Sequence, residues 1–336
     1  MDDFTNYKEI IARCRAEAAK RVVGQTGVID GILTALIAGG HVLLEGVPGL
    51  AKTLAVKTFA DITGLGFKRI QFTPDLLPAD LTGTLIYEQS TGQFTVRKGP
   101  VFTNLVLADE INRAPAKVQS ALLEAMAEKH VTIGSETYPL PEPFFVLATQ
   151  NPIEQEGTYN LPEAELDRFL LKLMVPYPQA EEELAIVKTG GEPDKTAVNA
   201  VFTAEHIRQG RALLDAIRCD DKIVEYIVSI VTVTRPLQDE KKAAHARPLR
   251  SGEKRGGEDI LKYIAFGASP RASIALHRCA KVRALFEGRS FVLPEDVKNA
   301  APAVLRHRLV LSYEAAADNV TADSLIAKIL SVLPVP

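Results

Sequence analysis

The chain has 336 residues, 46% of them hydrophobic and 24% charged, with a formal net charge of −3. The length is more than one core usually serves, so two domains are expected, and the composition is that of a soluble globular protein. The charge gives no global pull toward nucleic acid or an anionic membrane, so nucleic acid is an unfavoured partner. Three cysteines, Cys14, Cys219 and Cys279, lie far apart without a CxxC pair and suggest neither a disulfide framework nor a zinc site. The six histidines are scattered without metal-ligand spacing. The start Met1-Asp2-Asp3-Phe4 lacks the basic and apolar segments of a signal peptide. The longest apolar runs, such as 227–233, are too short to cross a bilayer. A cytoplasmic location without membrane insertion is the expectation.

In chain order, residues 4–20 show helical spacing, with Tyr7, Ile10, Ile11 and Cys14 on one face. A second helix covers 28–38 and stops at Gly39-Gly40. Residues 41–45 read as a buried strand, 54–60 as a helix ended by Gly64 and Gly66, and 67–72 as a second strand. The Pro-, Gly- and Thr-rich stretch 73–102 contains a hairpin signal around Ser90-Thr91-Gly92. An insertion of that length is usually functional. A third strand at 104–108 and a helix at 115–128 follow, then a small hairpin, 131–133 with 137–140. Strands at 144–148 and 169–175 complete a five-stranded parallel α/β sheet with right-handed crossovers.

After residue 178 only helices are expected: 181–188, 204–217, 220–233, 257–266, 270–286 and 294–307. The domains are therefore placed at 1–178 and 179–336. Two long loops, 190–199 and 235–257, interrupt the second. The latter carries Lys241, Lys242, Arg247, Arg250, Lys254 and Arg255 and reads as a solvated linker, with a partner contact as the minority reading. The stripe Ile223, Ile227, Ile230 and Val231 reads as core of the helical domain.

The stretch Gly46-Val47-Pro48-Gly49-Leu50-Ala51-Lys52-Thr53 lies between a strand and a helix beginning at Leu54. A glycine-bearing loop closing in Lys-Thr there is the phosphate-binding arrangement. Backbone N–H groups and the helix N-terminus face phosphates, Lys52 reaches the β- and γ-phosphates, and the Thr53 hydroxyl ligates Mg²⁺. Ala51 stands where glycine is usual. The alternative is an ordinary Gly/Pro turn. A second signal is Leu105-Val106-Leu107-Ala108-Asp109-Glu110, a buried strand with two carboxylates at its C-terminal end, where ligands sit in open α/β sheets. Asp109 would help hold Mg²⁺, and Glu110 would orient and polarise an attacking water. Asn151, past the fourth strand, could hold the γ-phosphate or the lytic water, or make an Asn-Pro turn. Each signal is weak alone and strong in this order on successive strands.

Together with 161–169 and 267–272, these runs resemble the AAA+ ATPases, and the Ala-Lys-Thr loop narrows the resemblance to the MoxR family, from residue 23 to about 334. Asp109-Glu110-Ile111-Asn112-Arg113-Ala114-Pro115 and Ala148-Thr149-Gln150-Asn151-Pro152 fit the same pattern. The resemblance implies a P-loop NTPase (AAA+) domain followed by an all-α lid. It implies Walker A at 46–53, Walker B at Asp109 and Glu110, sensor 1 at Asn151 and adenine contacts from Val22 and Val23. It implies an arginine finger at Arg168, acting in a neighbouring subunit, and sensor 2 at Arg271. Residues 73–102 match the helix-2 insert and 131–140 the pre-sensor-1 hairpin. ATP and Mg²⁺ are the implied ligands. A homo-oligomeric ring, usually a hexamer, and partner proteins, some with a von Willebrand factor A domain, are the implied assembly. The residues alone leave other readings of Arg168, as a salt bridge with Asp167 or Glu165, and of Arg271, as a solvated helix-start arginine. Arg113 reads equally as an intersubunit contact or as a salt bridge with Glu110 or Glu156. Either Gln71 or Thr73 could restrain Glu110. A nucleic-acid motor, a small-molecule kinase and a nucleotide-gated scaffold with little turnover remain as alternatives.

Overall fold

The computed structural model of the chain describes residues 3–47, 49–50, 52–152, 158–188, 197–235 and 260–336. Pro48, Ala51, Glu156, most of the 190–199 loop and the basic residues of the 235–257 loop lie outside the described residues. The chain divides into two compact units, residues 1–215 with 285–288, and residues 216–284 with 289–336.

The first unit is built on a five-stranded sheet of order β2-β5-β8-β1-β9, with β1 at Val42–Glu45, β2 at Phe67–Gln71, β5 at Leu105–Asp109, β8 at Phe145–Gln150 and β9 at Leu171–Met174. All its pairings are parallel. The sequence explains the layers. β5 is apolar up to its last residue, Asp109, and buried along its whole length, whereas the edge strand β2 buries only Ile70. Helices α1 (Asp3–Ala19), α2 (Thr26–Ala38), α3 (Lys52–Thr63) and α5 (Ala116–Glu128) supply stripes of Ile, Leu and Val, among them Ile11, Leu33, Val56 and Leu122, all buried. The predicted face of α1, Tyr7, Ile10, Ile11 and Cys14, is inside.

The insert 73–102 holds a short helix, α4 (Pro78–Thr82), and the hairpin β3–β4 (Gly83–Glu88, Gln93–Lys98). Gly99 is required where the chain leaves β4 and passes back against the end of α4, because a Cβ there would stand 2.2 Å from the Leu81 carbonyl oxygen. A second hairpin, β6–β7 (His130–Ile133, Glu136–Pro139), touches the first where Gly134 approaches Leu85. A one-turn helix, α6 (Glu163–Leu166), precedes β9.

Composition changes at residue 178, but the first compact unit runs on to Asp215. The reason is packing. After α7 (Ala180–Lys188), α8 (Ala204–Ala216) lies on α1 and α2: the Tyr7 hydroxyl donates to His206 O at 3.0 Å, and Arg211 Nη2 donates to Leu36 O at 3.0 Å.

Among the described residues the second unit is helical apart from the strand pair formed by 264–266 and 310–311. The stripe Ile223, Ile227, Ile230 and Val231 of α9 (Asp221–Val233) is buried, as expected of core. Where a helix is predicted over 257–266, the described residues form a 3₁₀ turn, Ile260–Tyr263, and a strand, β10 (Ile264–Phe266). Tertiary pairing overrides local propensity there: β10 runs antiparallel to β11 (Val310–Leu311), far along the chain. The helices α10 (Pro270–Phe286), α11 (Pro294–Leu305), α12 (Tyr313–Ala317) and α13 (Ala322–Val332) complete the described residues. Asp296 caps α11 through the Leu293 N–H at 2.8 Å and accepts two bonds from Arg289 at 2.7 and 2.9 Å.

At the N-terminal end of β1, His41 ties three elements. Its Nδ1 accepts the Val146 N–H at 3.0 Å, so the proton sits on Nε2, which faces Met126 O at 3.2 Å. Burial holds the imidazole down at about 4, against an ordinary value of 6.5. Between these values the unfolded chain takes up a proton that the native chain refuses, so this contribution to stability is whole above pH 6.5 and is lost as pH falls. At pH 5 the loss is about 2 kcal/mol. Urea midpoints at pH 7 and pH 5 check it: the difference shrinks by that amount in His41→Gln.

Candidate active site

The C-terminal ends of β1, β5 and β8 meet at one edge of the sheet, and the carbonyl of Gln150 accepts the Gly46 N–H at 3.4 Å as the chain leaves β1. Gly49 sits at φ +86, a left-handed conformation that glycine takes without penalty, and the space its Cβ would fill is open. Lys52 and Thr53 open α3, with Leu54 behind them. The Lys52 ammonium turns back into the loop, donating to Gly46 O at 2.5 Å and to Gln150 O at 3.4 Å. Its burial lowers its pKa below the lysine norm, while Asp109, Glu110 and Glu45 pull it back up. Val47 and Leu50 are half-buried beside it. The Gln25 amide donates to Leu50 O at 2.7 Å and so ties the turn after Val22 and Val23 to the loop. Val22 is buried and Val23 exposed.

β5 ends in Asp109, 6% exposed, and the next residue, Glu110, adopts φ 57 and ψ 51. A left-handed non-glycine residue is uncommon and persists only where its surroundings over-determine it. Thr149 on β8 is the determinant. Its hydroxyl donates to Asp109 Oδ1 at 2.6 Å and accepts the Glu110 N–H at 2.8 Å. The other oxygen, Oδ2, takes two bonds from Arg69 on β2, from Nε at 3.0 Å and Nη2 at 2.7 Å. Thr53 Oγ1 is 3.5 Å from that same Oδ2.

The Glu110 carboxylate is held twice through Oε2: by the Gln71 amide at 3.2 Å and by Arg113 at 3.0 Å. Of the two candidates on the second strand, Gln71 is therefore the one in contact with Glu110, and Arg113 makes the salt bridge with Glu110. Thr73 instead lowers the pKa of Asp75 through a hydrogen bond.

The structure thus gathers Lys52, Thr53, Asp109 and Glu110 at one end of the sheet. Asn151 directly follows β8, the strand between β5 and β1. Arg168 is exposed one residue before the buried Phe169. Its guanidinium donates to Leu123 O at 2.7 Å, in the C-terminal half of α5. Glu165 accepts from Ser120 at 3.1 Å. Arg271 belongs to the second unit, exposed in the first turn of α10, where its N–H donates to Ser269 Oγ at 3.2 Å. Sequence reasoning missed Arg69 and Thr149. The signal for Arg69 is period two along β2, which places residues 69 and 71 on one face.

Mg²⁺ can be tested against the donors present. It takes hard oxygen ligands, typically one or two carboxylates, with water and phosphate oxygens completing the shell. Thr53 Oγ1 and Asp109 Oδ2 converge as such a pair. Among the described residues no group of three or more His, Cys, Asp or Glu gathers elsewhere to compete. A nucleotide also fits: Gln25 Oε1 is buried without a hydrogen-bond partner among the described residues, an acceptor that an exocyclic amine would satisfy.

Comparison with known proteins agrees with this geometry. Residues 41–171 match the model of the ATPase family associated with various cellular activities (AAA), and residues 260–329 that of the AAA lid domain. The chain is 47% identical to the chaperone MoxR1 of Mycobacterium tuberculosis, over 97% of this chain and 82% of that one. It is 32% identical to protein MoxR of Methylorubrum extorquens, over 99% and 97%. A crystal structure of a Cytophaga hutchinsonii protein provisionally assigned as an ATPase superposes with a TM-score of 0.86 at 45% identity, covering 99% of this chain and 97% of that chain. The fold and site define an AAA+ module with its lid. The chain belongs to the MoxR family of AAA+ ATPases.

The buried hydroxyl of Thr149 carries a checkable stability. Thr149→Val keeps the shape and strands Asp109 Oδ1 and the Glu110 N–H, so scanning calorimetry is expected to show a loss of about 1–3 kcal/mol, most of it recovered in Thr149→Ser.

Proposed function

We propose that the chain hydrolyses ATP with Mg²⁺ at the 46–53 loop and couples turnover, in a homo-oligomeric ring, to remodelling or activation of partner proteins. The observation that carries the hydrolytic reading is the pair Asp109–Glu110, held beside Lys52 and Thr53 at the end of a buried strand. Within the 46–53 loop, Val47, Gly49, Leu50 and Ala51 offer backbone N–H groups to the phosphates, Gly46 and Pro48, the latter without an N–H, shape the loop around them, and Leu54 carries it into α3. Val22 and Val23 contact adenine. Thr53 and Asp109 hold the metal, which neutralises phosphate charge as a Lewis acid. Lys52 binds the β- and γ-phosphates. Glu110 accepts a hydrogen bond from the water that forms the new P–O bond as the bond to the leaving ADP breaks. Asn151 and Arg271 stabilise the transferring group, and Arg168 does so from a neighbouring subunit, which is why an oligomer, a hexamer by family habit, is needed.

Gln71 and Arg113 both hold Oε2 of the Glu110 carboxylate. Release of Glu110 from these two contacts is part of the proposal, and it would give a partner protein a lever on the rate. The name chaperone carried by the Mycobacterium tuberculosis relative supports action on proteins, and a von Willebrand factor A domain is the partner class proposed. The net charge of −3 gives no basis for nucleic-acid binding. No described helix is long and apolar enough to cross a membrane, and a cytoplasmic site of action is part of the proposal.

Phosphate release by wild type and Glu110→Gln tests the assignment. A fall of about a hundredfold or more is expected, and equal rates overturn it. Mixing Arg168→Ala with Lys52→Ala subunits is expected to restore part of the ATPase activity lost in each alone. Absence of rescue in mixed oligomers counts against a finger acting between subunits.

A further inference from the structure

Arg69 is used by nothing in the scheme above, yet it sits at its centre. β2 pairs with β5 so that Arg69 stands opposite Leu107 and Gln71 opposite Asp109. Arg69 and Gln71 share one face of β2, while Ile70 points into the core. The Arg69 guanidinium binds Asp109 Oδ2 through two nitrogens, and its Nη2 also donates to Gln71 Oε1 at 3.0 Å. Gln71 then donates through Nε2 to Glu110.

The chemistry of these groups leaves one sense for this relay. A guanidinium only donates and a carboxylate only accepts. With Arg69 on one side and Glu110 on the other, the Gln71 amide can bridge them only with its oxygen toward Arg69 and its nitrogen toward Glu110. Arg69 thus orients the group that restrains Glu110. The same arginine also occupies the carboxylate oxygen that faces Thr53.

We infer that Arg69 is a displaceable cation on the metal-facing oxygen of Asp109, a positioning residue that couples metal occupancy to the release of Glu110. The inference rests on the reading of Thr53 and Asp109 as the metal-holding pair. A divalent cation arriving between Thr53 Oγ1 and Asp109 Oδ2 competes with the guanidinium for one oxygen and repels it. The Arg69 side chain is 51% exposed on an edge strand, so it has solvent to swing into. Once it leaves, Gln71 loses the donor that fixes its amide, and its hold on Glu110 loosens while that of Arg113 remains. Before metal arrives, the arginine neutralises a carboxylate that is otherwise nearly buried.

The inference predicts that removing a favourable contact tightens metal binding. Free Mn²⁺, followed by its EPR signal, is titrated into the full-length protein saturated with ADP. Half-saturation is expected at an about two- to fivefold lower Mn²⁺ concentration in Arg69→Met than in wild type, the equivalent of one half-exposed ion pair. Arg69→Gln, a second neutral change on the solvent-facing side of β2, carries the same expectation. Asp109→Asn is expected to weaken Mn²⁺ binding at least tenfold, on the order of a lost charged ligand. Unchanged or weaker binding in both Arg69 variants, with Asp109→Asn still weakened, overturns the role of Arg69 and leaves the metal site standing. Wild-type affinity in Asp109→Asn overturns the metal site itself and the inference with it. A thermal readout separates positioning from general stabilisation. The Arg69→Met melting deficit is expected to be largest without metal and to shrink with Mn²⁺ and ADP; an equal deficit in both conditions overturns the inference.

Discussion

A carboxylate that is 6% exposed cannot be left bare, and the way Asp109 is satisfied organises this site. Its two oxygens draw on both neighbouring strands: Thr149 from β8 for one, Arg69 from β2 for the other. That arrangement exists only because β5 lies between β2 and β8 in the sheet. The strand order, the left-handed turn at Glu110 and the position of Gln71 are therefore parts of one solution to one desolvation problem. The groups proposed to bind metal and water are positioned by that solution.

The opposite end of the sheet is treated differently. There His41 seals the entry to β1 with two hydrogen bonds and a neutral ring. A charge at that end would be an expense, since nothing there is expected to change occupancy. The contrast follows the general rule for open α/β sheets, in which ligands gather at the carboxyl ends of strands and the amino ends serve stability.

Much of this was legible in the residues. A glycine-bearing loop between an apolar run and a helix, and Asp109-Glu110 closing a run of four apolar residues, are local patterns, and they place β1 and β5 within one residue and α3, expected over 54–60 and found at Lys52–Thr63, within three. The buried stripe of α9 was equally readable from its spacing. What could not be read were the facts that depend on register across the sheet. Gln71 and Thr73 are alike as polar ends of a strand. Only the pairing of Gln71 with Asp109 decides between them. Arg69 carried no motif, and Thr149 was visible only as a neighbour of Asn151. β10 was misread as helix because its partner, β11, is more than forty residues away in the chain. The extension of the first unit to Asp215 hangs on a few contacts, such as Tyr7 with His206, that composition does not record.

The φ of 57 at Glu110 has a bearing on how this protein responds to selection for robustness. Glycine adopts that backbone freely and asparagine more readily than glutamate, so replacing Glu110 by either relaxes local strain. Any search for thermostable versions that scores folding alone is drawn to this position and rewards losing the carboxylate. The residue proposed to turn on water sits where the backbone least favours a long acidic side chain, and only a screen that demands turnover would keep it.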